Sequence, residues 1–158
     1  MAGLIQAHLG EIMKTAAKAI ASITIGALLA PYLMWCWAKI AVSGLFLDPI
    51  IRSGLRGNTM HAALAPLDFV ATVILVLPAA WALWRLGKER IAMHVILALG
   101  ALFATSTALF GPPSISFDLW PTLSTMLFYA ALPVAVWLLV RFHRRAPGNS
   151  FKPNPLRG

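Results

Sequence analysis

The chain has 158 residues, of which 59% are apolar and 11% are Asp, Glu, Lys or Arg, against about 25% charged in an ordinary soluble domain. Its thirteen basic and five acidic residues give a net charge of +8, and all but Asp68 lie between long apolar runs rather than along them. This excludes a water-covered globular domain. It also excludes nucleic acid as a partner, because the basic residues mark run ends and no nucleic-acid motif interrupts the pattern.

Residues 1–17 come first. Leu4, Ile5, Leu9, Ile12, Met13 and Ala16 recur at helical spacing, opposite Gln6, Glu11 and Lys14. The segment reads as an N-terminal interfacial helix on the inner leaflet, or as an extension of the span that follows. The first apolar run is Ala19–Ala38, twenty residues bracketed by Lys18 and Lys39. A helix rises about 1.5 Å per residue, so about twenty residues cross a ~30 Å hydrocarbon core. Read from Met13, the run looks like a secretion signal. However, it exceeds the roughly 7–15 apolar residues of a signal core, and Pro31 after Ala30 would oppose cleavage. A retained helix is expected. Cys36, the single cysteine, lies inside this run and reads as a small packed hydrophobe.

Ile40–His61 combines Leu45, Phe46, Leu47, Ile50, Ile51 and Leu55 with Asp48, Arg52 and Arg56. It is expected to form an outer amphipathic segment or lid, with Asp48 capping a short helix that starts at Pro49.

The second run, Ala62–Trp84, contains Pro66, Pro78 and one carboxylate, Asp68. The link "RLGKER" leads to the third run, Ile91–Phe110, in which His94 sits four residues from the start. His94 reads either as a proton relay or, more plainly, as a side chain reaching the interface. The link "GPPSISFD" leads to the fourth run, Leu119–Val140, closed by Arg141. None of the runs alternates as barrel strands do. The tail "RRAPGNSFKPNPLRG" has three prolines and two glycines and is expected to be disordered. The expected organisation is all-α and polytopic: one four-helix membrane domain over residues 1–145, then a disordered cytoplasmic tail over 146–158.

Orientation follows from the links. "RLGKER" carries Arg85, Lys88 and Arg90, and "GPPSISFD" carries no Lys or Arg. The positive-inside rule places the first in the cytoplasm and both termini with it. Ten basic residues then lie inside and three (Lys39, Arg52, Arg56) outside. The expected location is a bacterial inner membrane. Trp35, Trp37, Trp81, Trp84, Trp120 and Trp137 fall near run ends, as an aromatic belt does. Pro31, Pro78 and Pro133 should bend their spans.

Phosphate loops, metal-spaced His pairs, nucleophile elbows and paired carboxylates within a span are absent from the sequence, so no cofactor is expected. Polar side chains gather in the outer half. The candidate pocket is Asp68 with Tyr32, Thr105, Ser106 and Thr107. Intramembrane hydroxyls serve first as interhelical glue, which does not account for a carboxylate. Asp68 either reaches the interface, near Lys39, Arg52 or Arg56, or faces this pocket. The leading functional expectation is a non-enzymatic accessory protein or complex subunit. Its partners would be the lipid bilayer and either another membrane protein or further copies of itself. The alternative is a small carrier or channel using Asp68.

Overall fold

The computed structural model describes residues 2–45, 47–112 and 119–145. The described regular structure is helical: α1 Ala2–Ser43, α2 Leu47–Arg52, α3 Asn58–Leu86, α4 Ile91–Phe110 and α5 Leu119–Arg145. Four of these (α1, α3, α4 and α5) are long and apolar enough to cross a membrane. The 113–118 link and the 146–158 tail, including the expected disorder of the latter, lie outside the described residues.

The apolar runs form the helices, with boundaries moved where no residue stops them. The third run coincides with α4. The first run is the middle of α1, which continues unbroken from Ala2 to Ser43. At 42 residues α1 is roughly 63 Å long. The N-terminal segment is therefore joined to the first span as its extension, with no break at which a separate helix could turn. Helices α3 and α5 run through Pro66, Pro78 and Pro133, and α1 through Pro31.

The connection between α1 and α3 is shorter than its sequence suggests. Only Leu47–Arg52 is helical there. Asp48 is the second residue of α2 rather than its cap. Asp48 in the first turn and Arg52 in the last suit the helix dipole. Gly44 turns the chain at φ +66°, and the Asp48 carboxylate folds over it, where any Cβ would lie. Both features require glycine.

The core is one stripe from each long helix. Leu29, Ala30 and Leu33 meet Val76, Ala80 and Leu83, Val95, Ala98 and Leu102, and Ala131, Leu132, Ala135 and Val136. The three- and four-residue steps put each set on one face. Helix α1 packs chiefly on α4, and α3 chiefly on α5. Each pair is separated by one reversing helix, so its members run parallel. The α1–α4 crossing is the tightest described: a Cβ on Gly26 would fall on the backbone of Ala98, which is itself fully buried. Close backbone approach of this kind is what small residues provide between apolar helices.

Outside the stripe the helices present bulky apolar groups. Ile20, Leu28, Val70, Ile74, Ile96, Met126 and Trp137 are all exposed.

Candidate functional site

Two polar centres occupy opposite ends of the bundle. One end brings together the first half of α1, the end of α3, the start of α4 and the end of α5. There His94 is only 2% exposed, and its Nδ1 lies 2.8 Å from the Ser22 hydroxyl of α1. Ser22 also donates to the Lys18 carbonyl at 2.8 Å. A hydroxyl has one hydrogen. With it given to Lys18, the Ser22 oxygen accepts from His94, which places the imidazole proton on Nδ1. The other edge of the ring, Cδ2 and Nε2, rests where a side chain on Gly87 would be. His94 is therefore interior, not interfacial: Gly87 leaves room for the ring and Ser22 supplies its partner. An opening of about 430 Å³ above it is lined by Glu11, Thr15, Lys18, Arg85, Lys88, Glu89 and Arg90, among others.

Rings and cations pair at both ends. Lys39 lies over Trp35 at 5.9 Å, Arg85 over Trp81 at 4.8 Å, Lys88 over Trp84 at 4.9 Å and Arg141 over Trp137 at 5.0 Å. Each pair is four residues apart, three of them along one helix face and Lys88 just beyond the end of α3, close enough for cation–π attraction. Trp84 also meets the His143 ring at 4.2 Å, tying α3 to α5.

The other end holds Asp68. Its residue is half-buried and lines a cavity of about 170 Å³ with Trp37, Ala65, Phe69, Thr72, Ser124, Leu127 and Phe128. The four sequence-named companions of Asp68 lie elsewhere. Ser106 lines a neighbouring cavity of about 300 Å³ with Ala30, Met34 and Phe110, and the two cavities share Trp37 and Phe128. Tyr32 is 42% exposed and borders an apolar depression with Leu75 and Pro78. Its neighbour Leu33 holds the core position instead, which turns Tyr32 about 100° away. Thr105 is half-buried. The Thr107 hydroxyl oxygen is buried without a hydrogen-bond partner.

Several hydroxyls do not act as glue between helices. Thr15, Thr24, Thr72 and Ser106 each donate to the carbonyl four residues earlier on their own helix. The Thr72 bond goes to the main-chain oxygen of Asp68, at 2.7 Å, not to its carboxylate. Among the described residues the one ion pair is Lys14–Glu11, at 3.4 Å and exposed, so Lys39, Arg52 and Arg56 do not pair with Asp68 there. No group of three His, Cys, Asp or Glu is placed to hold a metal ion among the described residues.

The sequence reading missed the Ser22–His94 contact and the place of Trp37 and Phe128 around Asp68. Ser22 and Gly26, four apart on the face that meets α4, were the available signal for the first. The second had none, because an aromatic near a span end reads as belt. Compared with protein-family models, curated proteins and solved structures, the chain matches none.

Proposed function

We propose that the chain is a small integral protein of a bacterial inner membrane, with both termini in the cytoplasm, and that it works as a non-enzymatic accessory protein or complex subunit. The observation that carries the partner role is the free face of α4. This helix packs chiefly on α1. Its opposite side shows Gly100, Ala104 and Ala108, all exposed at four-residue steps and flanked by exposed Ile96 and Phe103. A Cβ on Gly100 would meet nothing within 4 Å. Small residues at this spacing let a second helix approach closely, whereas lipid chains need no such stripe. In Gly100→Leu and Ala104→Leu variants, a co-purifying membrane protein or a cross-linked second copy is expected to be lost while the monomer stays folded. Retention of the wild-type assembly in both variants would overturn the partner role.

The orientation is supported by the charge asymmetry and by three of the four tryptophan–cation pairs lying at the end that holds His94. The N-terminal extension of α1 continues the span on the cytoplasmic side and keeps Leu9, Ile12 and Met13 more than half exposed. A reporter at Gly158 is expected to work only in the cytoplasm and one at Ser114 only outside. Activity of both on one side refutes four spans.

One observation favours a second reading, a small carrier or channel. Asp68 offers a cavity a carboxylate that has no ion-pair partner among the described residues, and charged side chains at membrane depth usually serve a function.

A further inference from the structure

The composition of the Asp68 cavity specifies what it can hold. Three of its walls are aromatic, Trp37, Phe69 and Phe128, and its hydroxyls are those of Thr72 and Ser124. The hydrogen of Thr72 is already given to a main-chain oxygen, so it does not compensate the carboxylate. Neither does a Lys or Arg, since Lys14–Glu11 is the one ion pair among the described residues. A carboxylate partly withdrawn from water is favoured in its ionised form by a cation beside it, the alternative being protonation.

The surroundings select among cations. Calcium takes six to eight oxygens and magnesium six; one carboxylate and two hydroxyls supply four, so water would have to complete the shell between aromatic walls. A sodium- or ammonium-like ion with tightly held water would have to shed it against rings. A substituted ammonium carries its charge under a skin of methyl or methylene groups. It is weakly hydrated, and aromatic faces attract it. Size agrees: a cavity of about 170 Å³ holds the volume of roughly five waters, and a quaternary ammonium head has five non-hydrogen atoms. Ser124 is exposed, which gives the cavity a side open to entry.

We propose that the cavity bounded by Asp68, Trp37, Phe69 and Phe128 binds an alkylammonium cation, either the head of a choline-type lipid or a free quaternary ammonium compound. This rests on the second reading above only in treating Asp68 as a binding group. It requires neither transport nor the α4 partner.

The test uses the full chain purified in a maltoside detergent, titrated calorimetrically with tetramethylammonium and with choline. Saturable binding is expected at millimolar concentration. Choline should bind at least tenfold more tightly than its uncharged isostere 3,3-dimethylbutan-1-ol, and equimolar sodium should not compete. Asp68→Asn, which keeps shape and removes charge, should weaken choline at least tenfold, and Phe128→Leu about threefold or more. Absence of saturation, equal binding of the neutral isostere, or displacement by sodium overturns the proposal. Those arms need only wild-type protein, so they decide even if a variant fails to accumulate. Nanodiscs then separate the two sources. Weaker tetramethylammonium binding in phosphatidylcholine than in phosphatidylethanolamine discs, which have the same net charge, supports a lipid head as occupant, and equal binding supports a free compound. Loss of a partner in the Gly100→Leu variant leaves all of these readings unchanged, so the two proposals fail separately.

Discussion

The two ends of the bundle treat a polar residue in an apolar helix in opposite ways. At one end His94 is almost fully buried and bonded at 2.8 Å to a hydroxyl on the neighbouring helix. At the other, Asp68 is half-buried, beside a cavity, with no cation paired to it among the described residues. In the sequence both look alike: one ionisable side chain in a largely apolar run of about twenty residues. What separates them is the partner helix. Around His94, α1 and α4 close to backbone contact at Gly26 and Ala98, and Gly87 clears space for the ring. Around Asp68, aromatic side chains from α1, α3 and α5 (Trp37, Phe69 and Phe128) wall a cavity instead. A polar group with a partner acts as structure. One facing a cavity without a partner is available to a ligand.

The comparison breaks most easily at Gly26. A valine there puts its first carbon on the Ala98 backbone, which cannot rotate away as a side chain can. Overpacking of this kind costs about 1–3 kcal/mol, and backbone contact places Gly26→Val at the upper end. Titration into a denaturing detergent should show markedly earlier unfolding, together with loss of the Ser22–His94 contact. Gly100→Val on the free side of α4, the partner helix, is the control and should leave monomer unfolding unchanged. Equal stability of the two variants would mean that α1 and α4 do not meet at this crossing.

The four long helices were legible in the sequence because each is a single uninterrupted apolar run. Their ends were less so. No Pro or Gly sits between residues 11 and 25, so nothing halts α1 where the amphipathic segment gives way to the span. Within the outer segment the helix is short, the six residues of α2, set between Gly44 and Gly54 at φ +66° and +77°. The candidate pocket was named from depth alone. Depth puts Asp68, Tyr32, Thr105, Ser106 and Thr107 at one level of the bundle, whereas a shared cavity also needs a shared azimuth. One residue's step of about 100° separates Tyr32 from the core position of Leu33. Trp37 and Phe128 reach Asp68 from α1 and α5, and that pairing depends on how the helices cross, which no run of hydropathy contains.

The smallest expected effect sharpens the comparison most. Ser22→Ala leaves the buried Nδ1 of His94 without its hydrogen-bond partner. The loss should be about 0.6–1.5 kcal/mol, the range for a hydrogen bond between apolar helices up to that of an ordinary buried one. A Ser22→Ala, His94→Phe double-mutant cycle should return a coupling of the same order. Asp68→Asn should behave otherwise. Its carboxylate makes no ion pair among the described residues, and the Thr72 bond is to its main-chain oxygen, which the substitution keeps. Removing the charge therefore removes a desolvation cost and no described contact, so unfolding should move by no more than about 0.5 kcal/mol, as for a change away from any structural feature, and toward greater stability. The measurement is the same detergent titration, run on both variants side by side. If Asp68→Asn costs as much as Ser22→Ala, the carboxylate is holding the bundle together and the two ends are alike. If it does not, Asp68 is retained for something other than folding, and the ammonium titration says what.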